Sequence, residues 1–460
     1  MNKVVKNIDI IICIISLFMI VFPTIIFFIG FTKLYISIPM SILSLYLSYK
    51  YIKNYKKSTY KSSKKYWIIV CIVLFIWLFY SGIGGFSYQN VVDFHVRNAM
   101  LRDLINYNWP VIYKKYGLVY YLSFFLPSAL VGKIFGFKIA TKFLFIYSYI
   151  FLICIFYLIN RYLKKDSYVT LIIFILFSGL DALGMPNKIF SLEQLEWWCG
   201  LFQFSSNTAS LYWVFNQILP IWLITILILN IKDSKNILFI SSLSFFYSPY
   251  ATICLIPVSL YLFIKNSDNL KNDIFSLSML YAGLVAIILG LYYITSTGSF
   301  YSGFIFNIVK NKFIIIPSYI LLILLEIFMY YIFSRKKYKK DILFKIIIIE
   351  LLLIPFYVIT IDNDFCMRGS VPILFILMIY FINYLLDDKY KKIKLLYILL
   401  FISFINPFHE IFRSFYYTYT TKDYIADDIV SIGNPQAYES LIDRQFYGNR
   451  NSFYFKYISK

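Results

Sequence analysis

Asp93, His95, Arg97 and Arg102 fall in one short polar stretch, Asp93-Phe-His95-Val-Arg97-Asn98-Ala-Met-Leu-Arg102-Asp103, between the apolar run 66–85 and Trp109-Pro110. Ionisable groups beside hydrocarbon are costly, so where they occur they point to function. If the stretch is helical, Asp93 and Arg97 share a face at i,i+4. Asp93 can then act as a general base or orient an acceptor hydroxyl. Arg97 and Arg102 can clamp a phosphate, and Asn98 joins them on the substrate-facing side. Phe94, Leu101 and Ile105 form a second, apolar face, which suggests a helix lying on the membrane surface. His95 is one of only two histidines. It is read as a hydrogen-bonding group toward substrate or Asp93. Its count excludes a three-histidine metal centre. The expectation is no metal and no cofactor, a mixed carboxylate–histidine site being the alternative.

Two further polar stretches carry similar residue types. Glu193 and Glu196 precede Trp197-Trp198, with Gln203 beyond. At i,i+3 the two glutamates would share a helix face, and carboxylates beside aromatic faces suit a sugar. The competing reading is an aromatic belt at the headgroup level. Asp362, Asp364 and Arg368 stand between two apolar runs, with Arg368 placed at a helix start where a phosphate would be favoured. Lys114 and Lys115 are read as snorkelling to headgroups.

These stretches need a frame, and composition supplies one. The 460 residues are 60% hydrophobic, with a mean hydropathy of +0.71. Soluble domains are about 45–50% apolar. Apolar runs of about 20 residues recur along the chain, as transmembrane helices require. The net charge of +21 does not indicate nucleic acid, because it is gathered in short loops. Lys50, Lys53, Lys56, Lys57, Lys61, Lys64 and Lys65 form one, Arg335–Lys340 a second, and Lys389, Lys391, Lys392 and Lys394 a third. Such loops face the cytoplasm and attract anionic lipid. The six cysteines are scattered without CxxC spacing and read as buried hydrophobes.

Charge and parity then give a topology. Spans are expected at 8–30, 34–50, 67–84, 138–162, 168–183, 211–230, two short ones within 237–264 broken near Ser248-Pro249-Tyr250, then 274–296, 313–333, 346–360, 371–386 and 395–408. The segment 120–135 is read as a re-entrant or interface-lying helix interrupted by Pro127, because a full crossing would leave Arg161, Lys164 and Lys165 outside. The expected fold is an all-α integral membrane protein of about 13 spans, N-terminus inside and C-terminus outside. Residues 1–408 form one polytopic domain, with external loops 85–117, 184–210, 297–312 and 361–370. Residues 409–460 form a polar external tail. No Walker A, GxSxG, HExxH or GxGxxG stands in a supporting context.

The ordered pattern resembles the GT-C superfamily, multispanning glycosyltransferases that use polyprenyl-phosphate sugars. An acid follows an early span (Asp93), then His95, Arg97 and an amphipathic helix ending at Trp109-Pro110. Leu118-Val-Tyr120-Tyr121…Leu126-Pro127…Lys133-Ile-Phe135-Gly136 looks like that superfamily's jaw helix, and the break at Ser248-Pro249-Tyr250 looks like its short hairpin. The likeness covers roughly residues 67–265. The segments 93–109, 192–217 and 362–372 also look like a group of uncharacterised bacterial membrane proteins associated with it. The resemblance implies an inverting transfer at the anomeric carbon from a lipid-phosphate sugar to a glycan, lipid or protein acceptor outside the cell membrane. It makes Asp93 the base and Arg97, Arg102 and Arg368 phosphate ligands. The sequence departs from the usual acidic pair by carrying Asp93-Phe-His95, with one carboxylate. A second expectation is a flippase or carrier for a lipid-linked glycan, which paired mid-span carboxylates would favour; Glu326 and Glu350 read as isolated. A glycan polymerase or ligase of another fold lacks the large external loop it would need here.

Overall fold

In the computed structural model the chain is mostly helical. The structure describes residues 2–55, 57–58, 60–90, 93–298, 302–359, 363–390, 392–421, 430–434 and 443–460. Asp362, Lys56 and Lys391 lie outside the described residues.

The first helices are α1 (Asn2–Phe31), α2 (Leu34–Lys53), α3 (Lys64–Phe79) and α4 (Asp93–Asn106). A short strand β1 (Tyr116–Leu118) and α5 (Leu126–Phe135) lead into α6 (Phe137–Leu163). Pro127 does not interrupt α5. It sits in the first turn, where its missing N–H costs nothing. Gly136, at φ 83°, makes the sharp turn into α6 that a Cβ would strain. Next come α7 (Tyr168–Leu176), α8 (Asp181–Gly184), α9 (Asn207–Asn230), α10 (Ser234–Ser242) and α11 (Pro249–Lys265). The expected run 168–183 is thus split, with an unwound step at 177–180. The break before α11 is where the sequence placed it: Ser248 caps the helix and Pro249 opens it.

The remaining helices are α12 (Leu270–Ile274), α13 (Leu277–Tyr293), α14 (Ile305–Ile308), α15 (Ile315–Leu322), α16 (Phe328–Tyr338), α17 (Ile342–Leu353), α18 (Asp364–Gly369), α19 (Val371–Leu385) and α20 (Lys394–Thr420). A π turn, Ile323–Ile327, joins α15 to α16. The expected span 346–360 does not hold. α17 has 12 residues, about 18 Å at 1.5 Å per residue. Pro355 stops it, and the β-branched run Val358-Ile359 continues as strand β3 (Tyr357–Ile359), paired with β2 (Ser302–Phe304). α20, conversely, does not stop at Phe408.

Among the described residues, five helices are long and apolar enough to cross a membrane: Ile8–Phe31, Phe137–Leu163, Asn207–Asn230, Lys312–Tyr338 and Lys394–Thr420. Shorter apolar helices pack with them, among them Pro249–Lys265, Leu277–Tyr293 and Val371–Leu385. This is the architecture of a multi-pass membrane protein.

The helix ends gather at two opposite ends of α1. Near its start, Asp9 is buried and accepts from Arg161 Nε at 2.8 Å, Tyr55 and Tyr157 at 3.2 Å each, and Ser58 N at 2.8 Å. The basic loops lie at this end, tied by Asp166 to Ser63 N (2.8 Å) and by Lys337 to Asp387 (2.8 Å). At the other end, the C-terminal residues fold back onto the bundle. Strand β4 (Tyr447–Asn449) pairs antiparallel with β1, Gly448 opposite Gly117. Lys33 N donates to Ile458 O at 2.9 Å, and Asn449 N to Thr295 O at 2.8 Å. The described C-terminal residues therefore form a docked cover over the end that carries α4.

Candidate functional site

α4 starts because Asn90 Oδ1 accepts from Asp93 N at 2.8 Å, satisfying a free helix N–H, and because Asp93 favours the positive end of the helix dipole. Its apolar face is buried inside the protein: Phe94 and Leu101 are almost wholly covered, and α4 packs on α5 and α6. It is not a helix resting on lipid. Asp93 and Arg97 do share a face. Arg97 Nη2 lies 2.9 Å from Asp93 Oδ1, with side-chain exposures of 5% and 32%. The guanidinium also stands 5.7 Å from the ring centroids of Phe94 and of Phe215 on α9. Its Nη1 is buried without a partner among the described residues. His95 is half-buried on the same helix. Asn98 faces inward, donating to Gln89 Oε1 at 2.8 Å, so it braces the loop before α4. Arg102 stacks 4.9 Å from the ring of Phe137, on the α6 side.

A second pair repeats the device. Arg368 Nη2 lies 2.9 Å from Asp364 Oδ1, again at i,i+4. Arg368 is at the end of α18, not at the helix start expected for it. Asn363 caps α18 from a left-handed conformation and donates through Nδ2 to Leu201 O at 3.1 Å. The guanidinium lies beside Tyr120, Tyr121 and Tyr250, and its Nε is buried without a partner among the described residues.

The segment 120–125 links the two cations. Tyr120 and Tyr121 stack at 4.5 Å, and Tyr121 reaches Tyr250 at 6.4 Å. Phe124 and Phe125 pack on Phe215 at 5.8 and 6.0 Å, the ring that Arg97 faces. The helices α4, α9 and α11 and the Arg368 end of α18 thus border this aromatic wall, whereas Glu196 faces Ser206 and Asn406 instead.

The loop before α9 differs from expectation. Residues 191–195 are not helical, so Glu193 and Glu196 do not share a face. Glu193 is exposed and pairs with Lys188 at 2.5 Å. Trp197 points outward and is 58% exposed. Glu196 turns inward to 5% exposure and accepts from Ser206 N (2.8 Å), Ser206 Oγ (2.6 Å), Gln203 Nε2 (3.2 Å) and Asn406 Nδ2 (3.2 Å). It holds the start of α9 in place.

Burial pushes the Glu196 carboxyl up to about 7, with the nearby Asp181 charge adding to the effect. An ordinary glutamate titrates near about 4.3. The folded protein therefore holds a proton that the unfolded chain loses first. The resulting stabilisation is complete below about pH 4.3 and disappears as pH rises through about 7. Thermal stability should accordingly fall between about pH 4.3 and about 7 in the native protein, and more shallowly in Glu196→Gln. Equal slopes in the two proteins would remove Glu196 as the titrating group.

The sequence reading missed Asp181, Asn406, Glu410 and Asp103. Trp198 Nε1 lies 3.2 Å from Asp181 Oδ1 and 3.1 Å from Glu326 Oε1, so Glu326 is not isolated. Asn406, His409, Glu410 and Arg413 follow an i, i+3, i+4, i+7 pattern along α20; that spacing was available in the sequence but lay across the end assigned to the last span. Asp103 is buried, accepting from Tyr113 Oη (2.5 Å), Ser431 Oγ (3.0 Å) and Ile432 N (2.9 Å). It anchors the C-terminal cover to α4.

A cavity of about 840 Å³ opens at the opposite end of the bundle, among Lys57, Arg161, Lys164, Lys232 and Asp273. It is a crevice between helix ends and basic loops, remote from Asp93. Among the described residues, no group of three or more His, Cys, Asp or Glu side chains is placed to hold a metal. Comparison with protein-family models, with curated proteins and with solved structures finds no match to this chain.

Proposed function

We propose that the chain is a membrane glycosyltransferase of GT-C type with about 13 spans, its N-terminus cytoplasmic and its α4 end extracytoplasmic. It would move a sugar from a polyprenyl-phosphate donor to a glycan, lipid or protein acceptor. The observation that carries this reading is the repeated Asp–Arg pair: Arg97 and Arg368, both largely buried, flank one aromatic wall, and each keeps a nitrogen without a partner among the described residues. A phosphate is the ligand such donors suit, since guanidinium–phosphate hydrogen bonds are charge-assisted and can be bidentate. The half-open carboxylate of Asp93 lies on the same helix face as Arg97. In the transfer, the acceptor oxygen bonds to the anomeric carbon while the bond from that carbon to the phosphate oxygen breaks. The acceptor proton passes to Asp93, and the polyprenyl phosphate leaves with its charge stabilised by the guanidinium groups.

One observation favours a second reading, a proton-coupled carrier of a lipid-linked glycan: the meeting of Asp181 and Glu326 inside the bundle. The two readings separate in proteoliposomes supplied with a panel of polyprenyl-phosphate sugars. The transferase reading expects release of polyprenyl phosphate, to water or to an added acceptor, and loss of that release in Asp93→Asn. Lipid passage across the bilayer without release, abolished by Glu326→Gln and untouched by Asp93→Asn, would establish the carrier instead.

A further inference from the structure

Asp181, Glu196 and Glu326 are 1%, 5% and 4% exposed. Three buried carboxylates with no countercharge would carry a prohibitive desolvation cost. Among the described residues, no Lys or Arg forms an ion pair with any of them. The nearest cation on α20, Arg413, is spent on Glu410 at 2.5 Å. The Trp198 indole N–H reaches Asp181 Oδ1 at 3.2 Å and Glu326 Oε1 at 3.1 Å, which brings the two carboxyl groups together on one donor. Two like charges held this close do not both stay ionised, so one of them keeps its proton.

A separate observation points the same way. Asn406 is fully buried, and its Nδ2 donates to Ser178 Oγ (3.1 Å), Asp181 Oδ2 (3.1 Å) and Glu196 Oε1 (3.2 Å). The amide's two hydrogens cannot serve three acceptors at once, and its Oδ1 has no hydrogen-bond partner among the described residues. A proton kept on one of the carboxyls lowers this excess of acceptors over donors.

We propose that Asp181 and Glu326 form a proton-binding site that holds one exchangeable proton at neutral pH. Glu326 precedes Arg335 by nine residues, about 13 Å at 1.5 Å per residue, so the site stands more than two helical turns from the basic loop that follows α16. The other titratable groups around it are Glu196 on the loop before α9, Tyr330 on α16 and Cys366 on α18, with Glu410 on α20 behind Glu196; His409 on α20 is turned to Ser191 O at 2.7 Å. Loss of the proton would leave two anions in contact and press the 178–198 segment away from the π turn. Gly179 sits directly against the Glu326 carboxyl, so the segment cannot relax toward it. The site stands whether the chain transfers a sugar or carries a lipid.

Infrared spectroscopy of the full-length protein in nanodiscs tests this. A protonated-carboxyl band, sensitive to deuterium oxide, is expected at neutral pH. It should be lost or shifted in both Asp181→Asn and Glu326→Gln, and distinct from any band removed by Glu350→Gln. A band unchanged in both variants overturns the proposal. So does one sodium or calcium ion per purified chain whose removal first brings the band out, because the charge is then balanced by a metal ion. Should a variant not fold, carbodiimide labelling of the native protein decides. An adduct on Asp181 or Glu326 is expected. Labelling of Glu350 alone overturns the site.

Discussion

Asp93→Asn should lower turnover by roughly 10²- to 10⁴-fold, the range associated with a positioned general base. Asparagine keeps the shape of the side chain and can still meet Arg97, but it cannot accept the acceptor's proton. The donor's KM should change little, since Arg97 and Arg368, the proposed phosphate ligands, remain. Some stability is lost as well. Arg97 is 5% exposed, and removing one partner of a fully buried ion pair costs about 3–5 kcal/mol. Asp93 is about one-third open to solvent, so the actual loss should lie well below that range. A lower melting temperature with intact donor binding and a collapsed kcat is the expected signature. A variant that melts lower but turns over normally would reduce Asp93 to a structural partner of Arg97.

The largest effect on stability belongs to the opposite end of the bundle. Asp9 is 2% exposed, and Arg161 is 8% exposed at its side. Arg161 is further fixed by Nη1 to Asn230 Oδ1 at 2.7 Å and by the Tyr55 ring at 4.9 Å. Asp9→Ala leaves that guanidinium buried without its carboxylate, at a cost of about 3–5 kcal/mol. That is a large share of a total near 5–15 kcal/mol. Yield and melting temperature in detergent should drop sharply. Arg161→Leu added to Asp9→Ala should recover part of the loss, because no orphan charge remains. If the double variant is as unstable as the sum of the singles, the pair is not the coupling that holds this end together.

What the sequence made legible was what local pattern controls. The i,i+4 spacing of Asp93 and Arg97 needed only helical geometry. The α10–α11 break followed from Ser248-Pro249, whereas Pro127, read as a break, instead opens α5. The apolar runs and basic loops gave a multi-pass architecture. The errors arose where partners are distant in the chain. Asn406 meets Asp181 across 225 residues, so although the helical spacing from Asn406 to Arg413 was there to read, nothing nearby signals that this polar face has buried partners. Glu196 turns inward because Ser206 and Asn406 receive it, whereas adjacent tryptophans suggested an outward aromatic belt; only Trp197 behaves so. The pairing of β1 with β4 joins Tyr116 to Asn449, a register that no helical periodicity encodes. α17 was overextended because hydropathy does not register the stop that Pro355 imposes before a β-branched run.

The central claim is that Arg97 and Arg368 serve one lipid-phosphate ligand. Its most direct test is binding of polyprenyl monophosphate to the purified chain by native mass spectrometry, comparing the native protein with Asp93→Asn, Arg97→Gln and Arg368→Gln. The expected result is one lipid per chain in the native protein and in Asp93→Asn, weakened at least about tenfold, or about 1.4 kcal/mol, by each arginine substitution. Equal binding in all four proteins, or none in a folded native protein, would contradict the account.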